Sequence, residues 1–195
     1  SNFLNTTLTR NTIETLTITD DNLVSTDALG SFDVSRNNDG TVMLWYTKGT
    51  SDNLYNVYIG SESGKVYAPI NCYMYFSNLT NAIKIDLSNF DTSNVKDMKY
   101  MFSNCTSLKS LDLSNFNTSK VTNMQDLFSH CTSLVYLNIE NFNTLNVTEM
   151  GAMFYYCESF TSLDLSMFDT SNVTSMRNMF GHCYALTSID LSSFN

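Results

Sequence analysis

Four consecutive segments of this chain, 92–117, 118–143, 144–169 and 170–195, are variants of one 26-residue phrase. Cys105, Cys131, Cys157 and Cys183 occupy one column of that repeat, and Phe102, Phe128, Phe154 and Phe180 another. Phe90, Phe116, Phe142, Phe168 and Phe194 form a third. A fixed step of this length is the mark of units that cannot bury their own apolar face and must stack on their siblings. The four cysteines are therefore expected to lie in single file.

Each unit contains two periods. In the 118–143 copy Val121, Met124, Leu127, Phe128 and Cys131 fall at the spacing of one helical stripe, about three turns long. Thr118 and Ser119 precede it, where a hydroxyl can cap free amide groups. The period then changes. Leu134, Leu137 and Ile139 follow the L-x-x-L-x-L phrase of a leucine-rich-repeat strand, and Phe142 is expected to turn inward onto its equivalents. The fold predicted from this pattern is an α/β solenoid. It would be a right-handed leucine-rich-repeat superhelix with a parallel sheet on one face, helices on the other, and a β-rich cap at the N-terminal end.

Residues 1–68 read as that cap and 69–195 as the solenoid, one degenerate copy followed by four regular ones. Within the cap, 12–19 alternates as a strand should. Three further short strands, 41–46, 54–59 and 65–68, read as a meander punctuated by Asn37-Asn38-Asp39-Gly40 and by two more turns. In the degenerate copy Pro69 stands at the valine position and Cys72 at the methionine position, so its helix should be short or distorted. The chain begins at Ser1 rather than Met, as a processed product would. It stops at the last position of a copy, where Ile189-Asp190-Leu191 would be a bare edge. Either further repeats or a cap are expected beyond it, or self-association through that edge.

Hydrophobic residues make up 43% of the 195, enough to fill a core. No apolar run is long enough to span a bilayer, and the N-terminus carries no signal-peptide pattern. A net charge of −9 argues against nucleic acid or anionic membrane as a partner. Five cysteines without any C-x-x-C read as buried thiols, with disulfides between copies as the alternative. His130-Cys131 and His182-Cys183 sit two copies apart and point to different sides, too far for one zinc ion. The methionine columns read as core filler. No Ser/His/Asp arrangement or phosphate loop supports catalysis, so neither an enzyme nor a cofactor or metal is expected.

The phrase LDLSNFNTSKVTNMQDLFSHCTSL resembles the repeat of BspA-type leucine-rich-repeat surface proteins. It is the branch with the 26-residue unit, first described as a domain of unknown function in mycoplasma lipoproteins. The matching residues are Leu111, Leu113, Phe116, Thr118, Ser119, Val121, Met124, Phe128, Cys131 and their register mates. FDVSRNNDGTVMLWY and YIGSESGKVYA resemble the segment that precedes such repeats, so the likeness runs from Phe32 to Asn195. It implies a secreted or wall-attached bacterial protein, with adhesion or host-protein binding proposed for the family. It carries over no catalytic residues.

The outward strand positions stack Asp86, Asp112, Asn138, Asp164 and Asp190 into one ladder. Carboxylates one strand apart repel, so something must offset the repulsion. Either a cation or a basic partner does so, or the neighbouring serines and loop amides do. The third copy, counting the degenerate one as the first, departs from its siblings with Tyr136, Asn138 and Glu140 on the strand, and Leu145 stands in place of serine at the start of the next. The candidate partner-binding set is therefore Asp86, Asp112, Tyr136, Asn138, Glu140, Asp164 and Asp190. The expected function is an extracellular, non-enzymatic adhesion or protein-interaction module. It would bind a protein or glycan through the strand-lined face. The alternatives are a spacer that projects another domain and, more distantly, a non-catalytic targeting module of a larger enzyme.

Overall fold

The computed structural model describes residues 8–195; residues 1–7, the start of the expected cap, lie outside the described residues. The cap is built on β1 (Ile13–Thr19), β2 (Gly30–Asp33), β3 (Val42–Lys48) and β4 (Tyr55–Ser61). Val57, Ile59, Leu44, Ile13, Leu16 and Ile18 alternate inward along these strands and are buried. β2, β3 and β4 run antiparallel, and β4 lies parallel to β1. The other edge of β1 pairs in parallel with β6 (Lys84–Asp86), the first repeat strand, through Thr15↔Lys84, Leu16↔Ile85 and Thr17↔Asp86. The sheet order is β2-β3-β4-β1-β6, so one sheet joins cap and repeats. The expected three-strand meander is incomplete. β5 (Val66–Tyr67) leaves the cap sheet and pairs in parallel with β7 (Phe90–Asp91).

The repeat strands are short: β8 (Ser110–Asp112), β9 (Tyr136–Asn138), β10 (Ser162–Asp164) and β11 (Ser188–Asp190). They form two separate pairs, β8 with β9 and β10 with β11, each in parallel 26-residue register.

The α/β solenoid with a helical layer does not form. Among the described residues there is no α-helix, and the one helical element is a 3-10 turn, Arg10–Thr12. The segment expected to be helical is a row of three-residue turns. Leu127 N–H donates to Met124 O, Ser129 N–H to Asp126 O, Cys131 N–H to Phe128 O and Leu134 N–H to Cys131 O. Asp126 and His130 interrupt the row with positive φ (55° and 59°), and so do their mates in every copy, from Met74 and Asn78 to Asn178 and His182. A left-handed residue every fourth position cannot belong to a right-handed helix.

That interruption turns alternate amides sideways. Met124, Asp126, Phe128 and His130 N–H donate to Glu149, Gly151, Met153 and Tyr155 O of the next copy, at 2.7–2.9 Å. A bridge ladder Asn71–Asp97–Asn123–Glu149–Ser175 runs along the same row. The continuous backbone ladder thus follows the turn row, not the strand row. Thr118, expected to cap a helix, instead clamps the next copy. Its Oγ donates to Asn143 O at 2.9 Å and accepts from Asn143 N at 2.7 Å, and Thr92 and Thr144 repeat this with Asn117 and Asp169.

The core is filed by column. Phe76, Phe102, Phe128, Phe154 and Phe180 stack with centroids 5.6–5.8 Å apart. Each in-register cysteine donates its thiol to a phenylalanine carbonyl of the preceding copy, as Cys131 does to Phe102 O at 3.2 Å. All five cysteines are free thiols. Burial pushes the Cys72 thiol up to about 12.

At the N-terminal end the cap imitates a preceding copy at three heights. β1 replaces a strand and β5 replaces a loop, with Val66 and Ala68 N–H on Asn89 and Asp91 O. Arg10 replaces the turn row: its Nη1 donates to Tyr75 O at 3.0 Å and Ser77 O at 2.7 Å. The equivalent carbonyls one copy later, Met101 O and Ser103 O, accept the Phe76 and Asn78 amides. At the other end Val173, Met176, Phe180, Cys183, Leu186 and Ile189 are only partly buried.

Candidate partner-binding face

The outward Asp ladder is satisfied within each copy. Asp112, Asp164 and Asp190 each accept, through Oδ1, the N–H of the serine two residues on, at 2.9–3.0 Å. Asp86 accepts both the N–H and the hydroxyl of Ser88, and Asn138 accepts Glu140 N–H at 3.2 Å. These are Asx turns that close the strand ends. The Ser166 amide holds the Asp164 carboxyl below the usual carboxylate range, and the Ser192 amide does the same for Asp190. At Asp86 burial acts upward, but the Ser88 bonds and Lys84 outweigh it and the net shift is down. Among the described residues no group of three or more His, Cys, Asp or Glu could hold a metal ion. His130 and His182 are separated by the Tyr156 ring, which stacks on them at 4.8 and 4.2 Å.

The face is not one sheet. Strand pairing lapses between β6 and β8 and again between β9 and β10, and a cleft opens at each lapse. The first, about 330 Å³, is lined by Lys84, Asp86, Ser88, Ser110, Asp112 and Asn115 among others. Lys84 Nζ lies 3.6 Å from Asp86, so this cleft carries its own counter-charge. The second, about 270 Å³, is lined by Tyr136, Asn138, Glu140, Ser162 and Asp164 over an apolar floor of Leu137, Ile139, Phe160, Leu163 and Met167. Val135 and Tyr136 stand exposed at its rim.

The copies differ at the second cleft in a way that loosens it. Elsewhere an Asn or Ser reaches back across the joint. Asn115 Nδ2 donates to Leu87 O at 2.9 Å, Asn141 Nδ2 to Ser114 O at 2.8 Å, and Ser193 Oγ to Leu165 O at 3.1 Å. The equivalent position in the fourth unit is Met167, which has no donor. Phe160 also replaces the leucine of Leu108 and Leu134, adding bulk directly before β10. The β6–β8 gap keeps its Asn115 clamp; the β9–β10 gap has neither clamp nor strand pairing.

Of the residues singled out from sequence, Tyr136, Asn138, Glu140 and Asp164 share the second cleft, Asp86 and Asp112 share the first, and Asp190 lies on β11 in neither. The floor residues and Met167 were not anticipated. The break in the asparagine column at Met167 is the signal that could have found them.

A search of curated proteins and one of solved structures each returned no match. The family described as "Mycoplasma protein of unknown function, DUF285" matches residues 70–194, all five repeat units and most of the chain, and the protein belongs to that family.

Proposed function

We propose that this protein is a non-enzymatic interaction module of a bacterial surface or secreted protein that engages a macromolecular partner through the strand-lined face. The single observation behind this reading is the β9–β10 cleft. It opens where the third copy departs from its siblings and combines an apolar floor, an exposed tyrosine and two carboxylates. A small number of polar groups around an apolar floor is the usual make-up of a recognition site. Membership of a mycoplasma family, together with the likeness to BspA-type repeats, supports an extracellular setting and an adhesive role.

The test is capture on protein and glycan arrays by the wild type beside a Tyr136→Ala/Glu140→Ala variant. Loss of a wild-type signal in the variant supports the reading; equal capture by both removes the third copy from it.

A spacer role is the second reading. It is favoured by the sameness of the outward Asp and Ser positions in the remaining copies, where each polar group is satisfied locally. A spacer would show no capture by either protein.

A further inference from the structure

We propose that the β9–β10 cleft receives an arginine side chain presented by a protein partner. This rests on the reading of the strand face as a binding surface and names the chemistry it selects. The two gaps in that face are a natural comparison. Both are flanked by the Asp ladder, but the β6–β8 gap is lined by Lys84, paired with Asp86 at 3.6 Å. The residues lining the β9–β10 gap include Glu140 and Asp164 and no Lys, Arg or His. Among the described residues the ion pairs are Lys48–Asp52 and Lys84–Asp86, so neither carboxylate of the second gap has a cation of its own. Asp164 commits Oδ1 to the Ser166 amide. That bond favours the ionised form, so the negative charge persists at neutral pH.

The rest of the lining selects among cations. Leu137, Leu163 and Met167 offer an apolar floor, on which an aliphatic stem can lie while its charged end stays at the rim. Tyr136, exposed at that rim, offers a ring face. A planar guanidinium stacks on such a ring and forks onto carboxylates, whereas an ammonium is a compact, strongly hydrated point charge. A volume of about 270 Å³ admits one long side chain rather than a folded element. The net charge of −9 draws basic surfaces toward the protein.

The experiment is a titration of the isotopically labelled full chain, followed by amide chemical shifts, with N-acetyl-arginine amide and with its neutral isostere N-acetyl-citrulline amide. Arginine should shift amides of 135–140 and 161–167 with at least about tenfold tighter binding than citrulline. Glu140→Gln/Asp164→Asn should abolish the response, and Asp86→Asn/Asp112→Asn should leave it intact, both variants keeping the wild-type spectrum elsewhere. Equal response to citrulline, an equal response at the β6–β8 amides, or no localised shift overturns the assignment. If the arrays show capture that depends on Tyr136 and Glu140 while arginine produces no shift, the ligand class is wrong and the interaction reading stands. If both fail, the interaction reading falls as well.

Discussion

Replacing Arg10 tests the idea that the cap works by counterfeiting a missing copy. In every later unit the turn-row carbonyls are covered by amides of the unit before: Phe76 and Asn78 N–H on Met101 and Ser103 O at 2.9 and 2.8 Å, Phe102 and Asn104 N–H on Leu127 and Ser129 O at 3.0 and 2.9 Å. The first unit has no predecessor, and the Arg10 guanidinium supplies both donors. Arg10→Met keeps the stem and removes them. A hydrogen bond from a charged group contributes about 1.5–3 kcal/mol. Water can reach this partly exposed site and replaces part of the loss, so the expected destabilisation is about 3 kcal/mol. For a chain of this size 1 kcal/mol moves the melting temperature by about 2–4 °C, so the variant should melt roughly 6–12 °C lower. The assay is thermal and urea unfolding followed by circular dichroism. Arg36→Met, on an exposed loop, serves as the control for charge loss alone. An Arg10→Met melting temperature within about 2 °C of that control would refute the reasoning.

Thr118→Val removes a reciprocal clamp from a buried position while preserving shape, leaving Asn143 N–H and C=O without their partner; it should cost about 2–3 kcal/mol in urea unfolding. Gly181→Ala places a Cβ 2.8 Å from Tyr155 Cδ2 and should cost about 1–3 kcal/mol, with Tyr155→Ser suppressing most of the loss, because serine fills that column in the first three units. Ala152→Gly relieves a left-handed alanine (φ 55°) and should raise stability by about 0.5–1 kcal/mol in the same assay. Asp39, held down to about 2 chiefly by the Thr41 hydroxyl and amide, has a folded pKa below its unfolded one. Its contribution is therefore complete above the ordinary carboxylate range and lost as pH falls toward 2; Asp39→Asn should flatten the decline of melting temperature with acid between about pH 4 and 2.

The strand half of each unit was legible because alternation over Leu137-Asn138-Ile139 has one structural meaning. The other half was not, and the reason is geometric. A row of three-residue turns points side chains inward at Val121, Met124, Leu127, Phe128 and Cys131, a spacing that a helix shares. Apolar periodicity therefore cannot separate the two. Backbone preference could have done so. The turn row is dense in Thr, Asn, Ser and Asp, which compete with helix by bonding to their own backbone. The left-handed positions hold Asn78, Asn104, Asp126, His130, Asn178 and His182, the residue types that tolerate positive φ. At least one such residue in four of the five units, and a pair four apart at Asp126/His130 and Asn178/His182, marked where a helix would have to break. The Asp ladder was legible as a ladder, and of the two readings left open for it, serine and loop amides satisfy it. The clefts were not legible, because alternation says nothing about whether neighbouring strands pair.

Placing the continuous ladder on the turn row changes where this protein can afford variation. Turn-row amides join each unit to the next by backbone, whatever side chains the sequence supplies, so that row tolerates Ala152, Tyr156 and Met74 at left-handed positions despite their cost. The strand row has no such redundancy. Its joints depend on three-residue pairings and on one reaching side chain, Asn115, Asn141 or Ser193. A joint there can stand open, as at β6–β8 and β9–β10, without unstacking the units, because the turn ladder, the phenylalanine file and the threonine clamps still hold them. A repeat protein built this way can lose strand pairing at a joint of the strand face and stay stacked, with its clamp in place as at Asn115 or without it as at Met167. What sets the β9–β10 joint apart is therefore the apolar side chain at the clamp position, which leaves Met167 in the floor of the cleft where Asn115 lines the other one.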